Sequence, residues 1–405
     1  MRMREKGLGS WLPPGGGNLF QAIKTMCLER EKSGGKVYRL TIGQPSGPAL
    51  ESARIACADA VLSIAESMHE YQDNGSPGIP WFAQDFVQLH IKRGLPLYAG
   101  KGQIKFLPIP GIKPMLGMVV SSTGAFVGDK KMTVAMMTKP GYPTPADQCR
   151  YLSVNNIALP TNERNKFRFS IYDIDPTVKL LMVNYPHNPS GQVATKEFWR
   201  ELCEHCSDHG IRLFNDGAYA ILAHSQEACA LAEVAVEFSD LSWAEAFSAS
   251  KVIANGTGCR IGAMVGSSDF IDDIAIIKGN CDSGFFAPAA VGVLRCMQYD
   301  MPSIVANREM YSRRIDQLCT LLTESDMKLA VKPGAGFFTL WLAPKQAFGH
   351  EIKDAEEFNR LMIENTGVAG VHFGKYVRYA VTSPIDSPEW IEAIQHGFEK
   401  AKVGY

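Results

Sequence analysis

The feature that most constrains this chain is a series of short apolar runs, each followed at once by polar or glycine residues. Four such runs lie at residues 132–137, 179–184, 211–215 and 261–265. They are apolar on both faces, which is typical of strands in a parallel sheet covered by helices. Residues 196–209 separate two of them and place Phe198, Leu202 and Cys206 on one helical face. The alternation predicts an α/β fold in which a mixed, mostly parallel sheet is flanked by helices, with ligands at the carboxyl ends of the strands.

The C-terminal part has another pattern, which predicts a second, smaller domain. It is typical of helices at 304–324 and 389–402, and of strands at 336–342 and 376–381. The segment 37–42 is expected to join this part from the other end of the chain. A chain of 405 residues is too long for one compact core. We therefore expect an N-terminal arm with part of the small domain at 1–48, a large domain at 49–303, and a small α+β domain at 304–405.

The charge balance argues against two classes of partner. Lys and Arg number 41 against 42 Asp and Glu, so we expect no nucleic acid and no anionic membrane as partner. Residues 1–17 lack the apolar core of a secretory signal, and no apolar run reaches the roughly 18 residues that a membrane span needs. We therefore expect a cytoplasmic protein. Cys203 and Cys206 form a CxxC without a second pair or a His cluster, so we interpret them as reduced thiols and expect no metal site.

A lysine motif follows one predicted strand. Residues 247–251 contain Ser248, Ser250 and Lys251, and a glycine-rich turn at 255–258 leads to Arg260. Two hydroxyl groups and a guanidinium at a strand end can bind a phosphate and leave the lysine amine free. The alternative interpretation of such a motif by itself is a solvated loop.

Two further motifs follow strands in the same way. Asp216 comes directly after the run 211–215. A buried acid at this place is costly unless it meets a positive charge, such as a protonated pyridine nitrogen. Tyr219, three residues later, could donate a hydrogen bond to a phenolate oxygen. The alternative is a helix N-cap with a packing tyrosine. Residues 184–191 form a turn with two prolines that would hold the Asn188 amide in a fixed direction, and a purely structural turn is the alternative.

A glycine turn precedes the predicted helix at 115–126. Gly111, Ile112 and Lys113 would present free backbone N–H groups and the positive end of the helix dipole to an anion. Tyr142 lies in a Pro-Gly-Tyr-Pro turn about thirty residues later and could stack on a ring.

Together these segments resemble the fold-type I enzymes that depend on pyridoxal 5′-phosphate (PLP), specifically the class I/II aminotransferase superfamily with its aspartate and diaminopimelate aminotransferases. The motifs occur in the family's order over nearly the whole chain. Residues 42–45 resemble the family's I-G-x-P, residues 71–78 its tyrosine segment, and residues 376–378 its V-R strand. The resemblance implies the PLP-dependent transferase fold, with a large domain and a smaller α+β domain built from both chain ends.

The resemblance also implies residue roles. It implies that Lys251 holds PLP as a Schiff base and moves the proton, that Asp216 pairs with the pyridine nitrogen, and that Tyr219 assists. The implied cofactor contacts are Gly111, Ile112, Lys113, Tyr142, Asn188, Asp216, Tyr219, Ser248, Ser250, Lys251, Arg260 and, from the neighbouring subunit of a homodimer, Tyr71. The implied substrate contacts are Gly43, Asn188 and Arg378, the last as a fork onto the α-carboxylate.

Two departures from the family pattern and one competing segment bear on these roles. Lys251 and Arg260 are nine steps apart where the family usually has eight. Ile112 replaces the usual Ser or Thr, so that turn offers only backbone N–H groups. Residues 121–124 resemble the phosphate turn of other members, but the spacing from Gly111 to Tyr142 favours the Gly111 turn.

The function that the sequence predicts is an aminotransferase that moves an amino group between an L-amino acid and a 2-oxo acid, with 2-oxoglutarate and glutamate as one pair. The alternative is a PLP-dependent lyase or decarboxylase on the same scaffold. A transcription regulator that kept this domain as a sensor would need an appended DNA-binding module, and the first 35 or so residues are too short and not basic enough for one.

Overall fold

The structure, a computed structural model, describes residues 19–92, 94–95, 98–99, 102–124 and 132–405. The predicted N-terminal arm before residue 19 and the predicted helix end at 125–126 lie outside these residues. Within them the helices are α1 Leu19–Lys32, α2 Glu51–Val61, α3 Phe82–Gln88, α4 Ile112–Ser121, α5 Thr144–Tyr151, α6 Lys196–His209, α7 Ala232–Ala235, α8 Ser268–Gly279, α9 Ala287–Tyr299, α10 Met301–Glu324, α11 Ala355–Thr366 and α12 Pro388–Ala401. The strands described are β1 Tyr38–Arg39, β2 Tyr98–Ala99, β3 Gly102–Ile109, β4 Thr133–Met136, β5 Asn155–Ala158, β6 Val178–Val183, β7 Arg212–Asp216, β8 Trp243–Ser248, β9 Gly262–Ser267, β10 Phe338–Leu342, β11 Gln346–Ala347, β12 His350–Glu351, β13 Val368–Ala369, β14 Val371–Phe373 and β15 Tyr376–Ala380.

The central layer of the described chain is an eight-stranded sheet in the order β2-β3-β9-β8-β7-β6-β4-β5. Strands β8, β7, β6, β4 and β5 run parallel, and β9 runs antiparallel to both β8 and β3. The mixed, mostly parallel sheet is thereby confirmed. The run 261–265 was expected among the parallel strands, and this was wrong, because β9 returns along β8 after the short turn at 249–261.

The two reversals at β9 have a consequence for the site. Since β3 is antiparallel to β9 and β9 is antiparallel to β8, β3 runs in the same direction as β8. The carboxyl ends of β3, β4, β6, β7 and β8 therefore meet at one edge of the sheet.

Helices cover both faces of this sheet, which explains why its strands are apolar on both sides. Helices α4 and α8 pack on one face, and α3, α6 and α7 pack on the other. Helix α6 has the predicted bounds; the Thr195 hydroxyl accepts a hydrogen bond from the Phe198 N–H at its start, and Gly210 ends it with a positive φ of 61°. Cys203 and Cys206 are buried free thiols on its inner face.

A second apolar cluster is built from both chain ends. Strands β10, β15 and β14 form an antiparallel sheet against α10, α11 and α12. Strand β1 pairs in parallel with β13, which joins the N-terminal segment to this part. The domain limits stay predictions, and the one at 303/304 falls in the first turn of α10. Within the described residues, no helix combines the length and the apolar character needed to cross a bilayer.

Candidate active site

A cavity of about 650 Å³ opens at the edge where the strand ends meet. One wall consists of the turns after β3, β4, β6, β7 and β8, and the other consists of α1, the 39–44 segment and strands β14 and β15. The predicted site residues that line it are Gly43, Ile112, Lys113, Tyr142, Asn188, Asp216, Tyr219, Ser248, Ser250, Lys251, Arg260 and Arg378. Residues as distant in the chain as Gly43 and Arg378 therefore meet in one space.

Lys251 stands at the centre of this group. It ends the single helical turn after β8 and is half-buried, with its Nζ atom 5.3 Å from the centroid of the Tyr219 ring. Burial lowers the pKa of the Lys251 amine to about 8; the nearby Asp216 carboxylate opposes this shift and the Arg260 guanidinium adds to it. Lys251 is thus an amine that can gain and lose a proton near neutral pH.

Asp216 is the acid that faces Lys251. It is the last residue of β7, and its Oδ1 atom accepts a hydrogen bond of 3.1 Å from the Ala218 N–H. Burial raises the pKa of Asp216 to about 6, while the Ala218 N–H and the charge of Lys251 act in the opposite direction. Burial also raises the pKa of Tyr219, so its hydroxyl keeps its proton. A further positive charge placed against Asp216 would stabilise the carboxylate.

The Gly111 turn forms the anion-binding end of the cavity. Gly111 has a φ of 80° and precedes α4, so the first N–H groups of that helix are free of intrahelical partners. A Cβ atom at Gly111 would lie 2.7 Å from the Nη2 atom of Arg260, so glycine permits the guanidinium to approach this turn. The Ser248 hydroxyl donates to the Ser250 hydroxyl at 2.9 Å and accepts from the Ser250 N–H at 3.2 Å.

The extra residue between Lys251 and Arg260 is taken up by the backbone. Residues 257–259 form one turn of 3₁₀-helix, and Arg260 has a φ of 53°, in the left-handed region. The Nη1 atom of Arg260 donates to the Thr257 carbonyl at 2.9 Å. Arg260 therefore reaches the Gly111 turn in spite of the longer connection. The competing segment 121–124 lies at the other end of α4, where its hydroxyl groups donate to carbonyls of the preceding turn.

Arg378 closes the opposite end of the cavity. It lies on β15, is 1% exposed, and has its guanidinium carbon 4.2 Å from the centroid of the Phe338 ring. Its Nη1 donates to Oδ1 of Asn188 at 2.9 Å and its Nη2 to the Thr41 carbonyl at 3.0 Å. Its buried Nε has no hydrogen-bond partner among the described residues. A Cβ at Gly43 would lie 3.8 Å from Nη2, so Gly43 borders this fork. Burial lowers the pKa of Arg378 to about 10, which still leaves it charged at neutral pH.

The two tyrosines predicted from turns lie in different places. Tyr142 is half-buried, follows the turn after β4, and packs beside the cluster under α4 while lining the cavity. Tyr71 is 79% exposed and does not belong to the described lining of the cavity in its own chain. The structure of one chain therefore brings together every predicted residue except Tyr71.

Sequence reasoning assigned no role to Asn184. Its Nδ2 donates to the Asp216 carbonyl at 2.8 Å, and its Oδ1 accepts from the Asn188 N–H at 2.9 Å. Asn184 thereby ties the end of β6 to the end of β7 and positions the Asn188 turn. The available signal was its place as the first residue after a buried strand.

The N-terminal wall was also missed. It contributes Phe20, Gln21, Lys24, Arg39, Thr41 and Gln44 to the cavity. Arg39 had a sequence signal, since it is a lone charge inside the apolar run 37–42. Helix α1 had none, because its contact with the cavity depends on how the chain ends pack together.

Comparison with known proteins gives a consistent result. The sequence profile described as Aminotransferase class I and II matches residues 36–391. The LL-diaminopimelate aminotransferase of Methanocaldococcus jannaschii is 32% identical over 348 residues, which cover 82% of this chain and 78% of that one. The enzyme of the same name from Dehalococcoides mccartyi is 27% identical over 399 residues, covering 93% and 94%.

Solved structures show the same fold. A substrate-bound BacF structure from Bacillus subtilis superposes with a TM-score of 0.81 at 20% identity, covering 100% of this chain and 99% of that one. The aspartate aminotransferase of Thermus thermophilus with maleate superposes with a TM-score of 0.78 at 21% identity, covering 95% and 97%.

The two charges beside Lys251 predict opposite shifts of its pKa. In the cofactor-free protein, D216N is expected to lower the pKa of the Lys251 amine below about 8, because the ammonium loses its counter-charge. R260Q is expected to raise that pKa, because a like charge is removed. The pH dependence of carbamylation by cyanate, followed at the Lys251 peptide by mass spectrometry with exposed Lys179 as internal reference, measures both. Identical profiles in the three proteins would contradict the arrangement.

Proposed function

This chain belongs to the class I and II aminotransferase family, whose members depend on PLP, and we propose that it transfers amino groups between an amino acid with a distal acidic group and 2-oxoglutarate. LL-diaminopimelate is the candidate donor, because curated relatives that match four fifths or more of this chain carry its name. The observation that carries the proposal is that Lys251, Asp216 and Arg378 line one cavity.

The cavity residues fit PLP. The half-buried Asp216 would pair with the pyridine nitrogen, and the Gly111 turn, Ser248, Ser250 and Arg260 would hold the phosphate. Tyr142 would lie against the ring, and Asn188 with Tyr219 would donate to the ring oxygen. When bound, PLP supplies an electron sink for the substrate carbon that loses its proton.

Lys251 is the group that would move the proton. Its pKa of about 8 is close to neutral pH, so the amine can serve as base and, once protonated, as acid. Tyr219 flanks the amine with the face of its ring and restricts its position. Asp216 keeps a negative charge near the amine, which prevents the pKa from falling further.

Arg378 would bind the substrate α-carboxylate. Two of its nitrogens are oriented by Asn188 and Thr41, which fixes the plane of the guanidinium before a substrate arrives. Burial under aromatic rings excludes water from the fork and strengthens its attraction for a carboxylate.

A second acidic group on the substrate is supported by the charge of the cavity wall. Lys24, Lys113, Arg39, Arg260, Arg378 and Lys251 line the cavity, whereas Asp216 is the one carboxylate among the described lining residues. Lys24 and Arg39 of the N-terminal wall are the cations to which no part of the cofactor and no α-carboxylate has been assigned. Arg39 is held by Glu31 at 2.8 Å, and its side chain is only 27% exposed, so it is a fixed cation that could bind a distal carboxylate.

Transamination is distinguished from lyase chemistry by the state of the cofactor. With the wild-type enzyme and a competent amino donor alone, we expect stoichiometric conversion of PLP to the pyridoxamine form and release of one equivalent of 2-oxo acid. K251A should abolish this conversion and the absorbance band of lysine-bound PLP. Profiling donors with 2-oxoglutarate, by absorbance and product analysis, checks both. Catalytic product release with PLP unchanged would indicate a lyase or decarboxylase instead.

Arg39 is expected to discriminate substrate analogues by charge. R39Q should weaken the binding of glutarate at least about tenfold, because a charge-assisted hydrogen bond contributes about 1.5–3 kcal/mol, and should leave the binding of butyrate unchanged. E31Q is the matched control, since it removes the partner of Arg39 but keeps the cation. Inhibition constants, measured by cofactor absorbance, provide the readout. Equal losses for glutarate and butyrate would refute a distal carboxylate site at Arg39.

We also propose that the enzyme is a homodimer through a surface that we term the Tyr71 face. This face comprises Tyr71, Ile276 and Phe286, which are 79%, 67% and 57% exposed. The 71–78 loop lies on the 275–287 segment, since Asn74 donates to the Ala275 carbonyl and a Cβ at Gly284 would touch the Gln72 backbone at 2.6 Å. The two segments that carry these exposed apolar side chains are therefore adjacent, and exposed apolar surface of this kind is typical of a protein interface.

Charge placed on the Tyr71 face should separate the subunits. Light scattering should give twice the 44.4 kDa chain mass for the wild type and one chain mass for the I276E/F286E variant. Y172E, at a position that is 91% exposed on the turn at residues 171–173, is the matched control and should leave the dimer intact. A dimeric I276E/F286E variant, or a monomeric wild type, would exclude this face as the interface.

A further inference from the structure

Glu245 is a buried carboxylate outside the cavity described above. It lies on β8 and is 1% exposed, and the groups that donate hydrogen bonds to it within the described chain are all uncharged. A buried carboxylate that is not balanced by a cation is costly, so its presence calls for a specific role. Burial raises the pKa of Glu245 to about 7, while the hydrogen bonds that it accepts favour the ionised form.

Two donors point at the two carboxylate oxygens. Oε1 accepts from Nδ2 of Asn215 at 2.7 Å, and Oε2 accepts from the Ala232 N–H at 2.8 Å. A carboxylate satisfies both donors, whereas a glutamine amide in the same place would offer one acceptor and turn a donor toward the other N–H. The geometry therefore selects glutamate over its neutral isostere.

Asn215 connects Glu245 to the backbone at the end of β6, where the 184–188 turn of the active site begins. Its Oδ1 accepts from the Tyr185 N–H at 2.9 Å, and its Nδ2 donates to the Tyr185 carbonyl at 2.9 Å. The side chain thus extends the pairing of β6 and β7 beyond Val183, where the backbone ladder ends. The Tyr185 backbone sets which end of the Asn215 amide is the donor, and ionised Glu245 accepts a further hydrogen bond from that same Nδ2, which holds the side chain in place.

The link continues from Tyr185 into the active site. Asn184 precedes Tyr185. Its Nδ2 donates a hydrogen bond to the Asp216 carbonyl, and its Oδ1 accepts one from the Asn188 N–H. Asn188 in turn accepts from Arg378. The ends of β6 and β7 are therefore bound reciprocally, by the Asn184 side chain on one side and the Asn215 side chain on the other.

We propose that Glu245 is a positioning residue of the active site, which acts through Asn215 and the Tyr185 backbone to hold the 184–188 turn and hence Asn188. This inference rests on the proposed function, because it assumes that Asn188 contacts the bound cofactor. Glu245 itself touches neither the cofactor nor the substrate.

The matched control is Val265. It is fully buried and pairs with Glu245 across β8 and β9, on the side away from Asn215. V265A therefore disturbs the packing at the same strand position without touching the link to Tyr185. It is expected to lower the unfolding midpoint and to leave the affinity for PLP unchanged.

E245Q is expected to weaken PLP binding to the cofactor-free protein about tenfold, and N215A to weaken it to a similar extent. Because both break the same link, the double variant should bind PLP no more weakly than either single variant. Spectroscopic titration of the apoenzyme, with unfolding midpoints recorded in parallel, gives both quantities. Unchanged PLP affinity in E245Q, or additive losses in the double variant, would overturn the proposal.

A rescue measurement keeps the proposal testable where E245Q folds poorly. Glu245 lines a second cavity of about 230 Å³ beside Tyr185, which could admit a small carboxylate. E245A should therefore regain PLP affinity and turnover in added acetate, while N215A and the wild type should not respond. If folded E245A binds PLP normally and does not respond to acetate, Glu245 only packs in the core and the proposal is wrong. A wild-type protein without transaminase activity would instead contradict the proposed function.

Discussion

The shared direction of β3, β4, β6, β7 and β8 is the constraint on which the site depends. The turn after each strand begins at one edge of the sheet, so residues from Ile112 to Lys251 face the same cavity. The orphan N–H and C=O groups at strand ends are bound there by side chains, as the pairs Asn184 with Asp216 and Asn215 with Tyr185 show. The hydrogen bonds that end the sheet are therefore also the ones that fix the active-site side chains.

The electrostatics of the cavity follow from burial combined with an excess of cations. Burial brings the pKa of Lys251 down to about 8 and that of Asp216 up to about 6. The pKa values of two groups that are usually fully charged at pH 7 therefore lie close to neutral pH. Arg378 and Arg39 both lie on the wall built from the two chain ends, and each is oriented by neighbouring side chains in the free protein. A cavity of this kind is arranged to receive anionic ligands.

Much of the fold could be predicted from particular segments. Helix α6 has the predicted bounds, and the runs 132–137, 179–184 and 211–215 are strands of a parallel sheet, because each is long enough to show its period and ends in a strong turn signal. The direction of β9 could not be predicted, since an apolar run has the same pattern whichever way it runs. Strand β3 was missed although the Gly111 turn follows it, because Lys105 and Pro108 interrupt its apolar run, and helix α1 was missed although Gly34 and Gly35 follow it.

The sequence by itself determined the chemistry of the site: a lysine, an acid, an amide and an arginine, each directly after or within an apolar run, in an order that indicates the family. Within each motif the residues are close neighbours along the chain, so their spacing can be read from the sequence. Only the tertiary structure decided that Arg260 reaches the Gly111 turn despite its longer connection, that Arg39 and α1 form a wall of the cavity, and that Glu245 holds Asn215. These contacts join segments separated by up to hundreds of residues, and they depend on strand direction and domain packing, which local sequence does not specify.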